Sequence, residues 1–196
     1  MTEQQPHIIV ISGPNGSGKS TTAPSLLKGT LGVTEFVNAD VIAEGLSAFQ
    51  PEGAAFQAGR VMLKRIHHLA KERVDFAFET TLASRTFAPW IKELKQKGYI
   101  FHLVFLWLPS AEFAIARVAE RVRLGGHNVP EETIRRRYNK GITNFFQLYV
   151  PFADAWRLYN NSDPSGPALI ASAGEKTGET VYKPDLWNII REEYHE

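Results

Sequence analysis

Gly13-Pro14-Asn15-Gly16-Ser17-Gly18-Lys19-Ser20 is a full match to the phosphate-binding pattern G-x-x-x-x-G-K-[ST]. The apolar, β-branched run His7-Ile8-Ile9-Val10-Ile11 ahead of it predicts a strand, and Thr21 to Lys28 behind it predicts a helix. A strand feeding such a loop into a helix N-terminus aims successive backbone N–H groups at one point, where an anion can sit. Gly13, Gly16 and Gly18 allow positive φ and close backbone approach to β- and γ-phosphates. Lys19 is expected to reach those phosphates and the Ser20 hydroxyl to ligate Mg²⁺. Pro14, Asn15, Ser17 and Thr21 complete the expected nucleotide-binding loop. A glycine-rich turn without consequence is the competing reading; strand, loop, Lys-Ser pair and helix in sequence argue against it. The expected ligand is a nucleoside triphosphate.

Working outward, Glu35 to Ala39 predicts a short second strand ending at Asp40, and Pro51 to about Arg73 a long helix with apolar positions Phe56, Val61, Leu63, Ile66 and Leu69. Val74 to Phe78 predicts a third strand ending at Glu79-Thr80-Thr81. Ser84 is expected to cap a helix through Lys97, stopped by Gly98. Tyr99 to Leu108 is an almost continuous apolar run, as for a strand covered on both faces. Ala111 to Leu124 predicts an arginine-studded helix. After the break Gly125 to Pro130, Glu131 and Glu132 favour a helix start through the helix dipole, and that helix is expected to run toward Ala155. A fifth strand over Arg157–Asn160, edge strands over Ala168–Ala171 and Thr180–Tyr182, and a closing helix over Pro184–Tyr194 complete the pattern. Alternating strands and helices of this length imply an α/β fold: a P-loop NTPase with a parallel sheet flanked by helices, an arginine-bearing helical lid and short C-terminal edge strands. The 196 residues suit a single domain, with the lid at about 117–138.

Bulk composition narrows the partners. A formal net charge of +1 gives no whole-chain attraction to nucleic acid or an anionic membrane, and the absence of cysteine excludes disulfides, thiol catalysis and thiolate metal sites. Met1 to Pro6 lacks the charged and apolar regions of a signal peptide, and no apolar stretch is long enough for a bilayer, so a cytoplasmic protein is expected.

In doubly wound sheets, ligands sit at the carboxyl ends of the strands. Asp40 falls there after the second strand, where a carboxylate could accept a hydroxyl proton as that hydroxyl attacks the γ-phosphate. Asp before Val41-Ile42-Ala43 is equally a good helix N-cap, and the two readings are compatible. Glu79 could orient Mg²⁺ through water or hold a substrate hydroxyl, with Thr80 and Thr81 extending the polar cluster; a solvated strand end is its alternative. Arg85 could meet an anionic part of the substrate or be an ordinary surface arginine.

Arg117, Arg121 and Arg123 precede the Gly-Gly break, and Arg135, Arg136 and Arg137 follow it. Two basic helices joined by a hinge describe a lid that closes guanidinium groups onto a transferring phosphoryl group. Arg117 and Arg121 share a face, whereas consecutive arginines spread around a helix, so only one or two of Arg135 to Arg137 can face the site. Interleaved Glu112, Glu120, Glu131 and Glu132 dilute the alternative, a nucleic-acid patch. His127 reads as a hydrogen-bonding lid residue, since nothing stands at a ligand spacing from it.

Gly13 to Ser20, Asn38-Ala39-Asp40, Phe78 to Thr81, Arg121, Gly125-Gly126-His127 with Val129-Pro130, and Arg135 to Tyr138 come in the order and spacing of zeta-toxin-like P-loop kinases, which the chain resembles over roughly residues 7 to 160. It looks like the short members often labelled predicted ABC-type ATPases, although no Leu-Ser-Gly-Gly-Gln signature is present. The resemblance implies ATP and Mg²⁺ as cofactors and Asp40 as the base. It implies Glu79 and Thr81 as sugar-nucleotide contacts, and Arg121 with one arginine near Arg135 on the phosphates. Arg136 joins the expected nucleotide contacts. It implies a small-molecule hydroxyl acceptor, for zeta toxins the 3′-hydroxyl of UDP-N-acetylglucosamine, and an antitoxin protein as partner. Two other readings stay open: a polynucleotide 5′-hydroxyl kinase, and an ATP-dependent switch or binding protein. Asn139-Lys140-Gly141-Ile142 lacks the aspartate of a guanine-selecting motif, which argues against a GTPase switch.

Overall fold

Alternation along the inner strands sorts their side chains onto two unlike faces. The computed structural model describes residues 5–47, 51–174 and 177–194. In β1 (His7–Ser12), Ile8 and Val10 join a large aromatic core, while Ile9 and Ile11 join a smaller cluster with Ala23 and Leu27. β3 (Phe76–Thr80) and β4 (Ile100–Trp107) repeat the division: Phe76, Phe78, Phe101, Leu103 and Phe105 face one way, Ala77, Val104 and Leu106 the other. All are essentially inaccessible to water, which is why these strands read as unbroken apolar runs. The seven-stranded sheet has the order β2-β3-β1-β4-β5-β6-β7. β2 (Glu35–Val37) through β5 (Ala155–Asn160) run parallel, and β6 (Ala168–Gly174) and β7 (Gly178–Val181) complete the edge antiparallel. The expected mixed α/β architecture is thus present. The connection after β1 leads to β2 on one side of it and the connection after β3 crosses to β4 on the other, and this reversal opens a crevice at the carboxyl end of β1.

α1 (Lys19–Pro24) continues into a π-helical turn at Ser25–Leu31; α4 (Phe87–Gln96), α5 (Ala111–Arg123) and α6 (Glu131–Asn144) cover the sheet, and α7 (Pro184–Tyr194) closes it. α6 ends in a π-helical turn at Phe145–Tyr149 that turns Phe145, Phe146 and Tyr149 all inward. A 3₁₀ turn at Val150–Phe152 follows, because Pro151 lacks the N–H that a helix would need.

Several expected boundaries move, each for a local reason. β2 stops at Val37, and Asn38, not Asp40, caps α2 (Ala39–Leu46): its Oδ1 accepts from the N–H of Asp40 at 2.8 Å and of Val41 at 3.4 Å. Ser84 does not cap α4, whose N-cap is Thr86; Leu82 adopts φ of 61°, and its loop is pinned by Asn144 Nδ2 on the Leu82 carbonyl and Tyr149 OH on that of Ser84. Gly141 makes this pinning possible, because a Cβ there would lie 2.5 Å from the Thr81 carbonyl. In α3 (Pro51–Lys71) the buried stripe is Ala54, Ala58, Met62, Ile66 and Leu69, leaving Phe56, Val61 and Leu63 exposed. Spacing of three and four residues fits that stripe, and the exposed three lie off it. Among the described residues no helix is long and apolar enough to cross a membrane.

Candidate functional site

The loop between β1 and α1 is a cradle that side chains would fill. Gly13 has φ of 143° and Gly16 of 77°; a Cβ would lie 2.4 Å from the Leu106 carbonyl at the first and 2.8 Å from the Ala114 carbonyl at the second. Ser17 N donates to the Pro14 carbonyl at 3.2 Å, while Ser17 Oγ is buried without a partner among the described residues. Asn161, at the end of β5, donates through Nδ2 to the Ser17 carbonyl at 2.7 Å, and Arg117 Nη1 donates to the Asn161 carbonyl at 2.7 Å. The loop is therefore braced from outside by residues the sequence does not single out for it.

Lys19 is buried and curls back, with Nζ donating to the Pro14 carbonyl at 2.9 Å and lying 3.7 Å from Glu79 Oε1. Burial lowers its pKa; the carboxylates of Glu79 and Asp40 oppose that, and Arg121 adds to it. A buried ammonium 3.7 Å from one carboxylate and held by a carbonyl fits the charge of a triphosphate. Ser20 Oγ donates to Glu79 Oε2 at 2.8 Å, so a hydroxyl and a carboxylate stand together as hard oxygen donors that fit Mg²⁺.

Asn38 ties this pair to α2. While Oδ1 caps the helix, Nδ2 donates to Glu79 Oε2 at 2.8 Å and Ser20 Oγ at 3.1 Å. Asp40, freed from capping, stands half-exposed in the first turn of α2, with its Oδ2 3.8 Å from His127 Nε2.

The lid arginines divide. Arg121 Nη2 donates to the His127 carbonyl at 3.0 Å and lies 3.3 Å from His127 Nε2, and Arg121 lines the cleft with Arg117. Of the three consecutive arginines it is Arg137 that turns inward: Nη1 donates to Asn15 Oδ1 at 3.3 Å, and burial and Arg136 lower its pKa against the opposing charge of Asp40. Arg135 instead pairs with Glu112 on α5, and Arg136 is exposed. The reason is rotational: Ile134, Tyr138 and Gly141 are buried, and Arg137 flanks that stripe whereas Arg135 and Arg136 point off it. Arg85 is exposed in the loop before α4, not within the helix. Thr80 Oγ1 accepts from the Leu82 N–H at 3.1 Å, and Thr81 lies under Gly141. A cleft of about 630 Å³ runs from Ser20, Thr21, Asp40 and Glu79 past Arg117 and Arg121 to Leu124, facing Asp163 to Pro167.

A braced phosphate loop at the carboxyl end of a mostly parallel sheet flanked by helices, with arginines of α5 and α6 beside it, defines a P-loop fold. The model of the AAA domain family AAA_33 matches residues 8–140, and the chain belongs to that family. It is 31% identical over 130 residues to an uncharacterized protein of Haemophilus influenzae, covering 66% of this chain and 91% of the relative. In fold it resembles the AvrRxo1-ORF1:-ORF2 complex crystallised with ATP (TM-score 0.73, 17% identity, 95% of this chain) and spans 63% of the matched chain's length. It also resembles the PezAT chromosomal toxin–antitoxin system of Streptococcus pneumoniae (TM-score 0.66, 15% identity, 99% of this chain and 80% of the other). A gluconokinase from Sinorhizobium meliloti aligns with TM-score 0.53 and 17% identity over 83% of this chain and 86% of the other.

Proposed function

We propose that this protein is an ATP- and Mg²⁺-dependent kinase that transfers the γ-phosphoryl group to a hydroxyl of a small metabolite or nucleotide sugar. The observation that carries the reading is Asp40: a carboxylate released from capping by Asn38, close enough to Lys19 and Arg137 to act on the charge of both. Such a group beside a phosphate loop is positioned to accept the acceptor's proton. Lys19 and the loop amides hold the triphosphate, and Arg121 and Arg137 meet the charge that develops on the transferring group. On this reading Arg137, which meets Asn15 of the loop, has the role that the sequence suggests for Arg135, which pairs with Glu112. Ser20 would hold Mg²⁺, with Glu79 behind it; the ion supplies charge neutralisation on the phosphates. Glu79, Thr80 and Thr81 border the acceptor side. Residues 117–138 form the lid of a single kinase domain working in the cytoplasm. The zeta-toxin resemblance and the fold shared with PezAT support a nucleotide sugar such as UDP-N-acetylglucosamine as acceptor and an antitoxin as partner.

A screen of hydroxyl acceptors with labelled ATP, read by mass spectrometry, tests the assignment. Single-stranded oligonucleotides belong in the same screen, because the fold is also shared with the Pnkp1/Rnl/Hen1 RNA repair complex (TM-score 0.54, 20% identity). Lys19→Ala should abolish transfer to any acceptor found; undiminished turnover in that variant removes the kinase reading.

A further inference from the structure

One imidazole stands between two groups of opposite charge at the junction of lid and α2. His127 Nε2 lies 3.3 Å from Arg121 Nη2 and 3.8 Å from Asp40 Oδ2. The surrounding loop is shaped to hold it there. Arg121 Nη2 also donates to the His127 carbonyl at 3.0 Å, Gly126 N donates to the Arg121 carbonyl at 2.9 Å, and a Cβ on Gly126 would lie 2.6 Å from Arg121 Cγ. Only glycine lets the chain wrap this closely over the arginine shaft. The His127 side chain is 18% exposed and that of Asp40 49%, so the carboxylate has room to close the remaining gap.

The two neighbours demand opposite states of the ring. A guanidinium only donates, so Arg121 can bond Nε2 only where that nitrogen carries a lone pair. A proton on Nε2 makes the ring a donor, which Asp40 can accept and Arg121 cannot. The charged groups facing His127 are Asp40 from α2 and Arg121 from α5; Lys19 and Arg137 act on the same Asp40.

We infer that His127 is a proton relay behind Asp40, drawing the acceptor's proton off the carboxylate and freeing the Arg121 Nη2 hydrogen now directed at Nε2 for the transferring phosphoryl group, while the other Nη2 hydrogen stays on the His127 carbonyl. The inference rests on the phosphotransfer reading above. In the complete step the acceptor oxygen bonds to the γ-phosphorus, and the bond to the leaving nucleoside diphosphate breaks with its electron pair. The hydroxyl proton passes to Asp40 Oδ2 and on to His127 Nε2, and the ring then yields a proton to solvent. The acceptor on this path is the Nε2 lone pair, 3.8 Å from Asp40 Oδ2. His127 touches no reacting atom and acts through its two neighbours, which makes it a positioning residue.

Phosphate release from ATP with water as acceptor, followed between about pH 5 and 9, provides the first test. His127→Gln should lower kcat by about ten- to a hundredfold at unchanged KM for ATP, since a direct proton acceptor contributes about 10²–10⁴-fold. It should also erase the acid limb of the kcat profile, and free imidazole should restore part of the rate of His127→Ala. An unchanged kcat with the acid limb intact overturns the relay, as does a raised KM with unchanged kcat, which would make His127 only a strut for Arg121. The second test needs no turnover: NMR titration of the His127 ring in wild type and Asp40→Asn. Loss of the carboxylate should move the midpoint to lower pH, because a nearby negative charge favours imidazolium. An unmoved midpoint overturns the relay. A moved midpoint in a protein that transfers phosphate from ATP neither to water nor to any hydroxyl acceptor in the screen keeps the pair and refutes the phosphotransfer reading instead.

Discussion

Asn38 shows how much one amide can organise. Its oxygen terminates the backbone of α2 and its nitrogen binds the Ser20–Glu79 pair, so the helix that carries Asp40 is referenced directly to the phosphate loop. Asn38→Asp keeps the capping oxygen but sets a second carboxylate against Glu79. Denaturant melts should show a loss of about 1–3 kcal/mol, the scale of a buried polar group left without its partner; wild-type stability would mean that the Nδ2 contacts contribute nothing. Asp40→Asn should behave in the opposite way. Because the cap lies elsewhere, only the favourable charge at the helix N-terminus is lost, about 0.3–1 kcal/mol. Turnover should fall by about 10²–10⁴-fold with ATP affinity retained. Steady-state kinetics beside a thermal melt separate the two effects, and normal turnover in a destabilised variant would remove Asp40 as the base.

At the scale of elements, α6 decides which of its three arginines faces the phosphate loop. A helix advances by 3.6 residues per turn, so Ile134, Tyr138 and Gly141 define a buried stripe and only Arg137 flanks it. An arginine that stabilises a transferring phosphoryl group is worth about 10³–10⁵-fold, acting mainly in the transition state. Arg137→Ala should therefore depress kcat by at least about a thousandfold with a modest change in KM. Arg135→Ala breaks an exposed pair with Glu112 and should stay within a few-fold of wild type. Parallel kinetics of the two variants check this, and the reverse ranking would show that the lid presents another face when it closes. The apolar stripe of α6 was already readable from Ile134, Tyr138 and Ile142; what hid Arg137 was two further arginines beside it. In α3 the opposite occurred: Phe56 looks like core by type, yet the small residues Ala54 and Ala58 face inward because the neighbouring α2 contributes only Ala43 and Ile42 to that contact.

Across the whole molecule, the end of the sheet remote from the cleft carries a pH-sensitive contact. His7 Nδ1 and His102 Nε2 are 2.8 Å apart on adjacent strands, and the rings stack at 5.0 Å. Burial holds the His102 pKa down at about 4; His7 and Arg157 add to this, and Asp154 and Asp75 oppose it. An unfolded histidine binds its proton near pH 6.5, so between about 6.5 and 4 the unfolded chain holds a proton that the native one refuses. This contribution to stability is complete above about pH 6.5 and is lost as the pH falls toward 4. Urea midpoints measured on either side of that window should drop in wild type and drop less in His102→Gln; equal slopes would remove the pair as the cause.

What the sequence determined by itself was whatever local chemistry specifies. The Gly-rich loop with Lys19 and Ser20, the buried strands β1 and β4, the α/β alternation and the closing helix α7 all lie where their residues place them, whereas β3 begins two residues later than expected, at Phe76, and includes Glu79 and Thr80. Periodicity and glycine geometry act within a few residues. Tertiary structure alone decided the rest. Asn38 could not be told from a strand end until Ser20 and Glu79 arrived from α1 and β3, and Asn161 braces Ser17 across 144 residues of chain. Ser84 looks like a cap, yet Asn144 and Tyr149 hold its loop in a strained turn that delays α4. The meeting of His127, Asp40 and Arg121 joins a loop to two helices. Each of these outcomes is a hydrogen bond or packing contact between residues far apart in sequence, whose geometry exists only once the sheet has brought their elements together.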